Sequence, residues 1–218
     1  MLDIKKDSSL SSYNTFRVNQ KSSYFVEVNT DQQLSQLLSH DEFSDSRQFI
    51  LGGGSNTLFT RDFDGIVIKN NLKGIEVDHE TDDDIYLTVA AGEDWPTLVK
   101  YAVDNNLGGI ENLALIPGLM GAAPVQNIAA YGGNFVDVFD HLDAFNLKTG
   151  ERRIFKTGEC EFGYRDSIFK NKLKGQYMIT AVTIKLKKNP TNLETSYFQM
   201  HINRDSLQDE LRRFAQEP

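Results

Sequence analysis

Residues 49–56 read FILGGGSN, an apolar run that ends in three consecutive glycines and a small polar pair. A short apolar run bounded by glycine reads as a strand. Glycine has no Cβ, so the loop after that strand can take backbone conformations closed to other residues, or admit a second group against its main chain. Two uses fit: a plain tight turn, or a nest of N–H groups around an anion. A Walker loop is excluded, because Lys followed by Ser or Thr must come after the last glycine and GGGSN has no lysine. The dinucleotide fingerprint also fails: Gly52 and Gly54 supply GxG, but Thr57 stands at the third glycine, and FTRDFDG carries no helical apolar stripe. A phosphate cradle remains open beside the tight turn. In it the N–H groups of Gly53, Gly54, Ser55 and Asn56 would converge on a pyrophosphate, with donors from the Ser55 and Asn56 side chains.

Composition narrows the partners. The 218 residues suffice for one large domain or two small ones. Lys and Arg number 23 against 31 Asp and Glu, a formal charge of -8, which disfavours a nucleic-acid face but leaves room for a small anion held by backbone N–H groups. The single cysteine, Cys160, rules out a disulfide within the chain and zinc sites built on several cysteines; it reads as a buried structural thiol in a reducing compartment. His40, His79, His141 and His201 lie far apart and form no metal motif, so no metal is expected. The first residues lack the apolar core of a signal peptide. The apolar stretch 113–130 carries Pro117, Pro124, Gln126 and Asn127 and reads as a buried, turn-rich segment rather than a membrane span. A cytoplasmic location is expected.

Periodicity places most elements. YFVEV (24–28) reads as a strand; Thr30 caps a helix over DQQLSQLLS with Gln33 as its N3 partner. QFILGG and GIVIKN (65–70) read as strands, and GIEVDH pairs with DIYLTVAAG around the acidic turn ETDDD. Asp94 caps WPTLVKYAVDNN, ended by Gly108 and Gly109. YGGNF holds a sharp turn, VFDHLDAFNLKTG and ERRIFK form a hairpin, and YMITAVTIKLKK (177–188) is a strand stopped by Asn189 and Pro190. RDSLQDELRRFAQ reads as an amphipathic helix. The expected division is 1–80, 81–190 and a tail at 191–218.

Five words in order, NTF (14–16), ILGGGSN (50–56), VAAGE (89–93), ENLALIPGLMGAAPVQNIAAYG (111–132) and FGYRDSIFK (162–170), resemble the flavin-binding part of the UDP-N-acetylenolpyruvoylglucosamine reductases, also called UDP-N-acetylmuramate dehydrogenases. The resemblance implies an α+β FAD-binding fold of the vanillyl-alcohol-oxidase type, with two α+β subdomains clamping the flavin. It implies FAD as cofactor, with Gly52, Gly53, Gly54, Ser55 and Asn56 at the pyrophosphate. Pro117, Gly118, Gly121, Ala122, Gln126, Asn127, Ala130, Tyr131 and Gly132 would wrap the flavin and its ribityl chain. Arg165 of GYRDS matches the active-site arginine and would hold the enolpyruvyl carboxylate; Tyr164 would pack or orient. Read without the resemblance, Arg165 could equally pair with Asp166 or Glu161. The implied chemistry is NADPH-dependent reduction of UDP-N-acetylglucosamine enolpyruvate to UDP-N-acetylmuramate in peptidoglycan synthesis.

Two departures qualify that expectation. The serine word and late glutamate that supply the family's proton chemistry are not found, and SYFQM, Ser196, Ser206, Glu210 and Glu217 do not replace them. The chain is therefore expected to be either part of a longer reductase or a short FAD-binding homologue with a regulatory or interaction role. At GAAP (121–124), Ala122 and Ala123 stand where the family often has serine.

Overall fold

The structure, a computed structural model, describes residues 2–40, 43 and 46–190; the expected tail helix, Ser196, Ser206, Glu210 and Glu217 lie outside them. Two sheets divide the described chain. The first has four strands in the order β1 (Ile4–Ser9), β2 (Lys21–Val28), β4 (Phe63–Asn70), β3 (Gln48–Leu51), with β1 antiparallel to β2 and both β2 and β3 parallel to β4. Strand β4 is central, and its Ile66, Val67 and Ile68 are all buried, as a parallel strand covered on both faces requires. Ile66 and Ile68 face α1 (Asp31–Leu38) through Leu34 and Leu37, while Val67 packs with Leu10, Phe25, Leu51 and Phe59 on the other face. Thr30 caps α1 by accepting from the Gln33 N–H at 3.1 Å; the Gln33 side chain reaches back one residue further than expected, to the Asn29 N–H. The mostly exposed edge strand β1 has no apolar alternation and was not expected from the sequence.

The second sheet is antiparallel, in the order β11 (Arg152–Lys156), β10 (Phe139–Asn146), β12 (Tyr177–Lys188), β6 (Asp84–Ala90), β5 (Ile75–Glu80), with β7 (Leu107–Gly108) on the end of β12. Both expected hairpins form, and β12 is the central strand. The division between sheets falls between Asn70 and Ile75, ahead of the expected boundary at residue 80, because the hairpin keeps β5 beside β6. Helix α2 (Trp95–Asp104) is capped by Asp94, whose carboxylate accepts from the Thr97 N–H at 3.1 Å, and buries Leu98, Val99 and Ala102 against the sheet. It ends before the expected glycines: Asn105 caps it, Asn106 takes the left-handed turn at φ 60°, and Gly108 joins β7. The 113–130 stretch is a chain of turns with one short helix, α3 (Ala123–Gln126). No helix among the described residues is long and apolar enough to cross a membrane. Buried Trp95 donates its indole N–H to the Leu113 carbonyl at 2.8 Å and so anchors the start of this stretch.

The sheets are joined by buried hydrogen bonds and by close backbone approach. The Asn70 amide, 4% exposed, donates to the Ile179 carbonyl at 2.8 Å, from the end of β4 to the first part of β12. The Gly92 N–H donates to the Leu72 carbonyl at 2.9 Å, and a Cβ at Gly92 would lie 2.5 Å from that oxygen. The glycine loop leaves β3 and is wedged against the 10–18 segment: Gly54 has φ 71°, and a Cβ there would stand 2.1 Å from the Tyr13 carbonyl oxygen. Asn14 braces that segment from within, donating to the Leu10 carbonyl at 2.7 Å and accepting from the Val18 N–H at 3.1 Å.

Three outcomes follow from this packing. Asn70→Ala leaves the Ile179 carbonyl without its buried donor and should lower the unfolding free energy by about 2 kcal/mol in urea titration. Gly54→Ala meets both the backbone clash and a positive φ and should cost at least about 2 kcal/mol in the same measurement. Burial, with Glu159 nearby, pushes the Cys160 thiol up to about 12. At pH 8 it should therefore stay unreacted with a thiol reagent in the folded protein and titrate as one thiol in denaturant.

Candidate functional site

The glycine loop of the first subdomain and the 115–127 loops of the second meet main chain to main chain. A Cβ on Gly53 would lie 3.3 Å from the Gly118 Cα, and one on Gly52 3.9 Å from the Ala122 Cβ. The Ser55 hydroxyl donates to the Pro117 carbonyl at 3.3 Å, and the Asn56 side-chain amide donates to the Gln126 side-chain oxygen at 3.1 Å. The predicted residues Gly52, Gly53, Ser55, Asn56, Pro117, Gly118, Ala122 and Gln126, distant in sequence, are thus brought together along one seam. Gly121 serves it from behind. Its N–H donates to the Ala91 carbonyl at 2.8 Å, and a Cβ there would meet the Ala91 Cβ at 2.7 Å.

The loop presents unused donors. Among the described residues, none accepts from the N–H groups of Gly53, Gly54, Ser55 or Asn56. Their carbonyl neighbours point inward: the Gly52 oxygen accepts from the Lys69 ammonium at 2.7 Å, and the Gly54 oxygen from the Thr15 N–H at 3.2 Å. Consecutive N–H groups without protein acceptors, on a loop without the bulk of side chains, fit a pyrophosphate. This site uses no helix N-terminus: the residues after the glycines are irregular as far as β4. Asn14, Thr15 and Lys69 are the site's supports that sequence reasoning missed. NTF was noticed as a word, but its contact with Gly54 is long-range, and Lys69 belongs to no motif.

Further along, Ala130 ends the two-residue strand β8 (Ala129–Ala130), which pairs with β9 (Gly133–Asn134). Tyr131 and Gly132, at φ 51° and 85°, form the two-residue loop between them, the geometry of a type I′ turn. Asn127 is turned inward: its side chain donates to the Gly163 carbonyl at 2.9 Å and accepts from the Val136 N–H at 3.2 Å, tying this stretch to FGYRDS. Gly163 and Asp166 exchange backbone hydrogen bonds across a tight turn with Tyr164 and Arg165 at its tip. The Arg165 guanidinium donates to the Ala129 carbonyl at 2.6 Å, which sets it beside the Ala130–Gly132 turn. It forms neither of the ion pairs open to it on sequence: Glu161 binds Lys172 at 2.6 Å and Asp166 accepts from Asn171 at 2.8 Å. Tyr164, expected to pack or orient, does not pack against the protein and is 92% exposed.

Two further features mark these loops. Leu115 at φ 64° and Arg165 at φ 53° hold strained left-handed conformations, which concentrate at functional positions. Of the seven exposed large apolar side chains among the described residues, Phe16, Leu58, Leu115, Tyr131 and Tyr164 fall in or beside these loops, a surface suited to a planar apolar ligand. The alanines of GAAP divide: Ala123 is buried, while Ala122 is half-buried toward the glycine loop. The N–H groups of both bond within the turn, to Leu119 and Met120, so neither is free to replace a missing serine hydroxyl.

Residues 22–158 match the FAD binding domain family. The chain is 44% identical over 196 residues to the UDP-N-acetylenolpyruvoylglucosamine reductase of Flavobacterium johnsoniae, covering 90% of this chain and 58% of that protein. The chain thus spans a little over half the length of such curated relatives. In structure it is similar to UDP-N-acetylenolpyruvylglucosamine reductase from Thermus caldophilus, with TM-score 0.71 and 23% identity over all of this chain and 71% of the other. It is also similar to cholesterol oxidase from B. sterolicum, with TM-score 0.58 and 14% identity over 86% of this chain and 38% of the other. The two sheets with their helices are the α+β FAD-binding fold of the vanillyl-alcohol-oxidase type, and FAD is the cofactor of that fold here. The chain belongs to the FAD binding domain family and is similar to the flavin-binding portion of the UDP-N-acetylenolpyruvoylglucosamine reductases.

Proposed function

We propose that this chain is the flavin-binding part of a reductase that converts UDP-N-acetylglucosamine enolpyruvate to UDP-N-acetylmuramate with NADPH, in the cytoplasm, for peptidoglycan synthesis. The observation that carries this reading is the seam at which the glycine loop, with its unused N–H groups, meets the Pro117–Gly118 loop, with Arg165 tied to the neighbouring Ala129–Gly132 turn. Similarity along nine-tenths of the chain to a protein named for this reaction supports the same reading.

Bound FAD would supply the two-electron carrier between NADPH and the enol-ether double bond. The protein's own part is binding, placement and charge. The N–H groups of Gly53 to Asn56 receive the pyrophosphate. Gly118 and Gly121 keep the second wall close, and Ala122, Gln126, Ala130, Tyr131 and Gly132 line the path of the flavin. Asn127 acts through the protein, fixing the FGYRDS turn against this wall. The Ala129 carbonyl engages one Arg165 donor, which leaves the rest of its planar fork to hold the enolpyruvyl carboxylate and offset charge developing on it. The proton for the second carbon is assigned to no described residue. That fits a chain which spans only part of its relatives.

The test is spectroscopic. The purified chain should take up FAD with an absorption band near about 450 nm. NADPH should bleach it, and the enolpyruvyl sugar nucleotide should restore the colour. Bleaching without restoration would show that this chain alone does not complete the second half-reaction, and absence of sugar-nucleotide binding would then support a FAD-binding homologue that lacks turnover. Arg165→Lys loses the bidentate fork; it should keep FAD affinity within about threefold while reoxidation by the sugar nucleotide slows on the order of 10²-fold. Equal loss of FAD would reject the substrate role of Arg165.

A further inference from the structure

Lys69 lies on β4, in register with Leu51, the last residue before the glycine loop, and with Glu27 on β2. It is half-buried, and its ammonium reaches past the strand end to the Gly52 carbonyl at 2.7 Å. On the neighbouring strand the Glu27 carboxylate accepts from the Tyr13 hydroxyl at 2.9 Å. Tyr13 belongs to the segment whose Thr15 N–H holds the Gly54 carbonyl at 3.2 Å. Burial and the nearby Lys73 lower the Lys69 pKa, while Glu27 opposes the shift. The loop is therefore gripped at alternate carbonyls, Gly52 from β4 and Gly54 from the 10–18 segment.

Peptide geometry turns that grip into a direction. In a trans peptide the C=O of one residue and the N–H of the next point opposite ways within one plane, and no cis peptide is present among the described residues. Drawing the Gly52 oxygen down to Lys69 sends the Gly53 N–H outward. Drawing the Gly54 oxygen to Thr15 does the same for the Ser55 N–H. Both N–H groups lack a protein acceptor among the described residues. Glycine at 52 to 54 does not itself choose this orientation, because a chain of glycines can flip its peptide planes at little cost. An external anchor is required.

We propose that Lys69 is a positioning residue for the anion site: it fixes the plane of the Gly52–Gly53 peptide so that its N–H faces the pyrophosphate. The inference rests on the flavin reading above and adds to it the residue that preorganises the cradle. Lys69 touches no ligand in this role. Its effect should be confined to ligands that carry the pyrophosphate.

The test compares FAD with riboflavin, which lacks phosphate, by flavin fluorescence on the 218-residue chain. Lys69→Met keeps the apolar stem and removes the donor. It should weaken FAD about tenfold or more, the range for a hydrogen bond from a charged group. Riboflavin affinity and the melting temperature of the ligand-free protein should hold. Lys69→Leu provides the same readings if the methionine variant does not fold. Lys69→Gln keeps a neutral donor and should stay within about threefold of the original FAD affinity. Unchanged FAD affinity in Lys69→Met, or a parallel loss of FAD and riboflavin, would overturn the role. A tenfold FAD loss in Lys69→Gln with riboflavin unchanged would also overturn it, by assigning the effect to charge rather than aim. If the unsubstituted chain takes up no FAD, the flavin reading fails and this inference with it.

Discussion

The molecule depends on glycine backbone meeting its neighbours without a side chain between them. Four contacts set the two sheets and the site loops: Gly54 on Tyr13, Gly53 on Gly118, Gly92 on Leu72 and Gly121 on Ala91. At Gly54, Gly92 and Gly121 an added Cβ would stand closer than 3 Å to a neighbour, so the chain could not close there with any larger residue. Such approaches give little apolar burial. They are held by what surrounds them: the apolar clusters of each sheet, the Asn70 bond to Ile179 and the Trp95 bond to Leu113. The site is the seam these contacts create. Its shape follows from the same glycines that let the sheets approach.

A chain of formal charge -8 can still hold a doubly charged pyrophosphate because the donors are local. Backbone N–H dipoles aimed at one point act at hydrogen-bond range, where distant surface carboxylates are screened. The half-buried Lys69 grips the Gly52 carbonyl behind the loop, and the Arg165 guanidinium sits on the Ala129 carbonyl, placements of which the net balance gives no hint. Leu115 and Arg165 keep left-handed conformations that the local backbone disfavours, a feature that concentrates at functional positions.

Much of the secondary structure was legible because its causes are local. The Thr30 and Asp94 caps, the hairpins around 81–83 and 148–150 and the long strand ending before Asn189 follow from side-chain periodicity and turn chemistry. The β1 edge strand was not legible, since an exposed strand has no burial alternation to display. The end of α2 was misplaced because Asn105 caps it and Asn106 takes the left-handed turn, ahead of the glycines expected to end it. Of the two roles expected of Tyr164, packing or orienting, the tight Gly163–Asp166 turn removes packing by throwing the ring outward.

By itself the sequence determined the element types, the absence of Walker and Rossmann loops, and, through five spaced words, the kind of cofactor domain. These follow from short-range rules and from words whose residues stand close together in the chain. Only the tertiary structure decided how the words meet: that Ser55 reaches Pro117, that Asn56 reaches Gln126, that Asn127 faces the protein, and that Lys69 holds the Gly52 carbonyl. Those contacts join residues far apart in sequence. Their partners are set by sheet order and by the register of β4 against β3, which no local pattern encodes.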